Sequence, residues 1–584
     1  MSTASMIIVD LLAGVLAAGG WLGAGAAAAT GRRRLTLGLA AAAALATLAR
    51  AGTTVVLARA GWWFAGEKVL IGAPLSLAGL AAVALRRGPL PLLFAGYACA
   101  AAVLVTVLHG YPASPSAGLL AAAGVAGATL VSGRLLGGRR LPRTAVVATV
   151  TALAAGVGLA VAPGAAPAVP HHHGAFAAAP ATGAPAERFT LTAGTTTVRA
   201  GGHDVRAWAF NGQVPGPQLT ATVGDVLEVT LRNRDIGRGV TLHWHGYDVP
   251  NSQDGVPGVT QAAVLPGQEF VYRFTADQPG TYWYHTHEAS DIGVRMGLYG
   301  VLVVRPARVT GVDVTVPVHT LAGHPLPEAV TAPVRAGTPV RLRLINTDST
   351  THRYALAGAP FEVAAIDGRD LRGPTPLEAT AVLIPAGGRY DLTFTAPAAP
   401  VALFVDGRAV YSTGPNSTGP NSTGPNSTGP VTAATGGWPA LDPLTYGAPA
   451  AAAPLPPPDR RFTLVLDRGL DLHGLLPRYA HTVNGAAYPG IPDEVVHLGE
   501  TVEFTIVNRS LAVHPWHLHG HHVLIVSRDG TPSTGSPLWQ DSFDVRPGEI
   551  WKVVFRADNP GRWANHCHNL PHADAGMMLH LRYA

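Results

Sequence analysis

Six apolar stretches, each long enough to cross a bilayer, crowd the first 162 residues and then stop: about 5–29, 35–58, 68–85, 89–108, 116–136 and 143–162. Hydrophobic residues make up 48% of the chain and charged residues 13%, and because the apolar excess sits at one end, the chain divides into a membrane part and a soluble part. Alternate loops between the stretches carry the positive charge: Arg32, Arg33 and Arg34, then Arg86 and Arg87, then Arg139, Arg140 and Arg143. The other loops are nearly free of it, apart from Arg59 and Lys68. Cytoplasmic loops collect Lys and Arg, so six spans are expected to put the N-terminus and everything after residue 163 on the far side of the cell membrane. Arg33-Arg34 loosely matches a twin-arginine export signal, but a loop between two spans accounts for it. Asp10 is the main ionisable residue expected inside a span, near one end where its cost falls. His109 is the one histidine in this half; haem held between helices needs paired histidines, which argues against a cytochrome-b-like membrane part.

Two cysteines, Cys99 in an apolar run and Cys567 between two histidines, are not placed to form a structural disulfide. The net charge of +5 rests on arginines in short loops, with no basic stripe interleaved with aromatics, so a nucleic-acid partner is not expected.

Past an Ala/Pro/Gly-rich linker that includes His171, His172 and His173, the sequence repeats itself. Gly224 is followed nine residues later by Asn233, Gly337 by Asn346, and Gly499 by Asn508. Between each pair apolar residues alternate: Leu227, Val229, Leu231; Val340, Leu342, Leu344; Val502, Phe504, Ile506. Period two means a strand with one buried face. With turn signals at Pro266-Gly267, Pro385-Ala386-Gly387 and Pro547-Gly548, this predicts three β-sandwiches in series. The expected division is a transmembrane domain of about six helices (1–163), a linker (164–186), sandwich units over 187–305 and 306–412, a linker of Asn-Ser-Thr-Gly-Pro repeats (413–460), and a third unit over 461–584. The repeats should be loose; their Asn-Ser-Thr triplets fit glycosylation acceptors by accident of so simple a pattern.

Four His-x-His pairs stand out: His243/His245, His285/His287, His517/His519 and His566/His568. Residues two apart on a strand point the same way, so each pair offers two imidazoles on one face. Two pairs come from the first unit and two from the third; if these units face each other, eight imidazoles converge. Imidazole suits copper, iron, nickel and zinc alike. The third unit narrows the choice. Cys567 lies between His566 and His568, so its sulfur points to the opposite face, which His514 can also reach; His572 and Met577 follow. One thiolate, two imidazoles and a distant thioether make up a blue-copper electron-transfer site. The middle unit has no such pairs; His319, His324 and His352 are isolated there and read as surface or packing residues, as do His521, His522 and His580 in the third.

The segments HWHG, HTH, HPWHLHG and HCHNLPHADAGMM resemble the four copper-binding signatures of the multicopper oxidases, including the three-domain laccases, over about 187–584. The resemblance implies three cupredoxin-like Greek-key sandwiches and four coppers per chain. It implies a type 1 copper on His514, Cys567 and His572 with Met577 axial, a type 2 copper on His243 and His517, and a type 3 pair on His245, His285, His287, His519, His566 and His568. The implied activity is one-electron oxidation of a small donor coupled to four-electron reduction of O2 to water. Asp254 resembles the family's acid near the type 2 copper, with an ordinary turn aspartate as the rival reading. Where some relatives carry a carboxylate directly after the last type 1 histidine, this chain has Ala573 and then Asp574.

Five methionines and no methionine-rich segment argue against a dedicated Cu(I) oxidase. A ferroxidase needs carboxylates near the type 1 site, for which Asp541, Asp544 and Asp574 are candidates. A laccase-like enzyme acting on phenols is the preferred expectation. The alternatives are a Cu+ or Fe2+ oxidase of copper resistance and a non-catalytic copper-binding envelope protein.

Overall fold

Small residues face one another where the N-terminal helices meet. In the computed structural model, which describes residues 1–137, 143–161, 180–414, 433–451, 455–472 and 477–584, these are α1 (Thr3–Ala29), α2 (Arg33–Ala60), α3 (Trp62–Leu85), α4 (Pro89–Leu108) and α5 (Pro115–Gly137), followed by α6 (Arg143–Val161). A side chain at Gly20 of α1 would meet the Ala43 Cβ of α2 at 2.8 Å, so glycine is what lets the two backbones approach. Among the described residues α1–α5 are long and apolar enough to cross a membrane, and α6 is a shorter apolar helix. Arg139, Arg140, the His171–His173 linker and the Asn-Ser-Thr repeats lie outside the described residues.

The third span departs from expectation at its start. It begins at Trp62 rather than 68 and runs through a π-helical turn at Lys68–Gly72. Hydropathy leaves Glu67 just outside the span and Lys68 at its first residue, because a charge in an apolar helix is costly alone. They are not alone. Lys68 Nζ pairs with Glu67 at 2.7 Å, and Arg509, from far along the chain, grips the same carboxylate at 2.9 Å. Asp10 is likewise partnered, by the Thr53 hydroxyl at 2.9 Å and by Arg50 of α2 at 3.7 Å, a second buried charge that the sequence did not single out.

Each β unit is built around the repeated strand. Val226–Asn233 runs parallel to Glu187–Ala200 and antiparallel to Glu269–Thr275. Pro339–Asn346 does the same with Val312–Leu321 and Arg389–Thr395, and Thr501–Asn508 with Arg460–Asp471 and Ile550–Arg556. The alternating residues are buried: Leu227, Leu342 and Ile506 are each 0% exposed, each side chain contributing about 1.5–3 kcal/mol. The recurring asparagine has a recurring task. The amides of Asn233, Asn346 and Asn508 each donate to two carbonyls, Ile236 and Val264, Thr350 and Ile384, Ala512 and Val545, closing the loop that leaves the strand. A second sheet covers each unit, containing His243–His245 and Gly280–His285 in the first and His514–Leu518 and Arg562–Cys567 in the third. These are cupredoxin-like sandwiches.

The stretch expected to be a loose linker over 413–460 is packed in part. Leu444 and Tyr446 are buried, and Leu441 N–H donates to the Ala381 carbonyl of the second unit. The third sandwich sits on one end of the helices. Gly548 abuts Thr3 and Ala4, Arg509 reaches Glu67, and the Tyr479 hydroxyl donates to the Val107 carbonyl of α4 at 3.1 Å. Arg32–Arg34 and Arg86–Arg87 mark the opposite ends of the same helices.

Candidate metal centre

Strand pairing brings the histidines together. His243 lies opposite His285 in the first unit, and His517 opposite His566 in the third. The two units then face each other, with His243 stacked on His519 at 3.7 Å and His245 on His517 at 3.9 Å between ring centroids. His287 stands 5.4 Å from His566 and His245 4.6 Å from His568. All eight imidazoles are buried or nearly so.

Hydrogen bonds decide which nitrogen each ring offers. Nδ1–H of His243 donates to Asp254 (3.0 Å), that of His285 to the Thr286 carbonyl (2.9 Å), and that of His517 to the Asp541 carbonyl (2.8 Å). His519 donates to Asp254 (3.0 Å) and His566 to the Cys567 carbonyl (3.0 Å). A neutral ring protonated at Nδ1 presents a bare lone pair at Nε2. Nε2 of His519 and of His566 are therefore lone pairs facing each other at 3.1 Å, and Nε2 of His243, His285, His287 and His517 has no partner at all. Unpaired buried acceptors cost about 1–3 kcal/mol each. A cation between them removes the cost, so the pocket fits metal ions. Burial is the main cause that pushes His245, His285, His287, His519 and His568 well below the ordinary imidazole range and takes His566 down to about 3. The rings stay neutral at neutral pH, the form that binds metal.

Cys567 pairs across the sheet with Trp516 and turns the other way. Its Sγ lies 3.5 Å from His514 Nδ1 and 3.8 Å from His572 Nδ1, and those two nitrogens are 3.2 Å apart. His514 bonds Ser510 Oγ through Nε2 at 2.8 Å, which leaves its Nδ1 lone pair for the centre. Met577 is fully buried, and its carbonyl accepts the Cys567 N–H at 3.1 Å. Burial pushes the Cys567 thiol up, so a bound metal must supply the charge that ionises it.

The structure therefore gathers the candidates into two clusters, eight histidines with Asp254 and, across one strand, His514, Cys567 and His572. Asp254 receives one ring from the first unit and one from the third. Of the three further acids, Asp541 lies at the histidine pocket, 3.3 Å from His245 Nε2, and so away from the cysteine side of the sheet. Asp544 pairs with Pro515 and accepts from Thr351, its carboxyl raised to about 6 by burial. Asp574 lies near Asp291, with burial raising its pKa.

Several residues that sequence reasoning missed belong here. Arg389 of the middle unit holds Asp541 with two bonds of 2.7 and 2.6 Å, and Gly387 of the same unit packs against His245. His481 stacks on His572 at 3.9 Å and is within ligand reach of the cysteine-side cluster. Neither Arg389 nor His481 carried a local motif; Arg389 acts across units, and His481 acts within the third. His521, His522 and His580 bond to Tyr583, to Asp248 and the Asp367 carbonyl, and to Arg562. His319 packs on Tyr299, His324 stacks on His203, and His352 bridges Asp348 and Asp406.

Two regions, residues 192–309 and 466–584, match family models described as multicopper oxidase. The chain belongs to the multicopper oxidase family. Multicopper oxidase MmcO of Mycobacterium tuberculosis is 29% identical over 459 residues, covering 68% of this chain and 86% of its own length. Laccase-1 of Botryotinia fuckeliana is 29% identical over 476 residues, covering 68% and 82%. Among solved structures, a multi-copper oxidase from Pseudomonas thermotolerans superposes with a TM-score of 0.54 at 26% identity, covering 69% of this chain and all of that one. A multicopper oxidase is an oxidoreductase that uses copper, O2 and a reducing substrate, and the lone-pair-rich pocket beside a cysteine and two imidazoles is chemistry that copper suits.

Proposed function

We propose that this multicopper oxidase is anchored in the cell membrane and oxidises a small phenol-like or metal-ion donor one electron at a time, with O2 reduced to water. In this reading four coppers are held per chain. His514, Cys567 and His572, with Met577, would hold the type 1 ion; His243 and His517 would hold the type 2 ion. His245, His285, His287, His519, His566 and His568 hold the type 3 pair. Copper in these positions supplies single-electron uptake on the cysteine side and four-electron delivery to O2 on the histidine side.

The observation that carries the reading is the tripeptide His566-Cys567-His568, whose middle side chain belongs to one cluster and whose outer two belong to the other. A few covalent bonds then join collector and reducer. Asp254 orients His243 and His519 from both units at once and is the candidate proton donor beside the pocket. The arginine-bearing loops lie in the cytoplasm, and the sandwiches, at the other ends of the helices, lie outside it.

Copper analysis and an oxygen electrode test this. The purified full chain should hold about four coppers and consume O2 with a phenol, with ferrous ion or with cuprous ion; a protein holding about one copper, or a fully loaded one with no uptake from any donor, contradicts it. Asp254→Asn keeps the shape but weakens the hold on both rings, so O2 uptake or copper retention should drop about 10–100-fold. The intense visible band of the cysteine side should persist; undiminished uptake would remove Asp254 from the mechanism.

A further inference from the structure

The cysteine-side cluster faces the membrane helices. Its outermost imidazole, His572, is covered by the His481 ring, 3.9 Å away and tilted by 20°. Arg468 donates to His481 at 3.1 Å and lies over the Tyr479 ring at 5.6 Å, and the Tyr479 hydroxyl reaches the Val107 carbonyl of α4 at 3.1 Å. The other imidazole, His514, bonds Ser510, whose neighbour Arg509 grips Glu67 of α3. Both rings are thus within a few contacts of the helices.

Between them lies a slot of about 160 Å³. Ile7, Leu11, Phe64 and Val107 wall it from the helix side, and Arg468 and Tyr479 from the sandwich. Next to it, between α4, α5 and Leu470, is an apolar cavity of about 450 Å³. Both openings carry exposed leucines, Leu511 at the slot (55%) and Leu104 at the cavity (54%), which lipid would cover. The slot is the size of one aromatic ring, with apolar walls from Ile7, Leu11, Phe64, Val107 and Leu511 and polar groups from Thr106, Ser510 and the charged side chains around them.

We propose that the donor is a lipid-soluble hydroquinone that enters this slot from the bilayer and is oxidised there, with Ser510 of the slot wall linking it to His514 and Arg468 linking it to His481. This rests on the four-electron oxidase reading above. Each hydroquinone loses two electrons and two protons and leaves as quinone, so two hydroquinones and one O2 give two quinones and two waters. A hydroquinone matches the slot in three ways: a flat ring for the narrow part, hydroxyls for the polar groups, and an apolar tail for the lipid-facing cavity. A free metal cation matches it less well, because three cations, Lys68, Arg468 and Arg509, border the slot against one carboxylate, Asp467. His481 is a positioning residue here, stacked on the His572 ring and held by Arg468 of the slot wall.

The full chain in lipid nanodiscs is given a long-tailed hydroquinone and its tail-less counterpart, and O2 uptake is measured for the wild type, Val107→Trp and Leu511→Trp. A tryptophan at either place fills the slot, one from the helix side and one from the sandwich side. The expected result is kcat/KM at least about tenfold higher for the tailed donor, and loss of that preference in either variant that keeps its visible copper band. Partition into lipid alone would favour the tailed donor equally in the variants, so a preference that survives slot filling overturns the inference, as does equal use of both donors by the wild type. Copper-free protein provides a readout without turnover: a photoreactive quinone analogue should label peptides around Val107 and Leu511, and labelling elsewhere contradicts the slot. Uptake with tail-less phenols but not with the tailed hydroquinone sinks this inference alone; no uptake with any donor sinks the oxidase reading beneath it.

Discussion

Cys567→Ser is expected to abolish the intense visible absorption and to lower O2 uptake on the order of 10³-fold or more, the scale seen when one member of a group acting as a unit is removed. Serine oxygen stays protonated where the thiol of Cys567 releases its proton to solvent as a metal binds, and it lacks the soft sulfur that the site requires. The sulfur sits between His514 and His572, while His566 and His568 turn to the opposite face of the strand. If four coppers are held as proposed, one should therefore be lost and the histidine pocket should stay loaded. Metal analysis and visible spectroscopy read both effects on one sample. A variant that keeps its band would mean that Cys567 is not a ligand.

Arg509→Met should loosen the third sandwich from the N-terminal apolar helices. Arg509 is almost fully buried and binds Glu67 through two bonds of 2.9 Å and Asp467 at 3.0 Å. Removing it strands two carboxylates in a dry junction, with Lys68 left to answer Glu67. Breaking a buried pair from one side costs about 3–5 kcal/mol. For a unit of this size that lowers the apparent melting temperature of the third sandwich by roughly 10 °C. The visible band should shift as well, because Ser510, the next residue, holds His514. Calorimetry of the detergent-solubilised chain decides it: an unchanged third-unit transition would mean that the ion pairs add nothing to the junction.

Local pattern explains why much of this was readable. The Gly-to-Asn repeat marks a strand because alternate side chains meet a core and the closing asparagine must satisfy two carbonyls, needs that recur in each unit. The His-x-His pairs were readable for the same reason, since spacing on one strand sets which face a ring takes. Arg389 was not readable. Its side chain matters only because the second unit is wedged against Asp541 of the third, and nothing near residue 389 hints at that partner. Glu67 was misplaced outside a span because hydropathy prices a charge without knowing its counter-ion.

By itself the sequence determined what short-range geometry determines: apolar helices first, β units built on one repeated strand, and a cysteine whose neighbours turn the opposite way. Tertiary structure alone decided how the ends meet. It brought the first and third units face to face, closed the pocket with an arginine from the middle one, and turned the cysteine side of the third unit toward the helices. The physical reason is that side-chain direction along a strand follows from covalent geometry, whereas ion pairs and stacked rings between units depend on surfaces that exist only after each unit has folded.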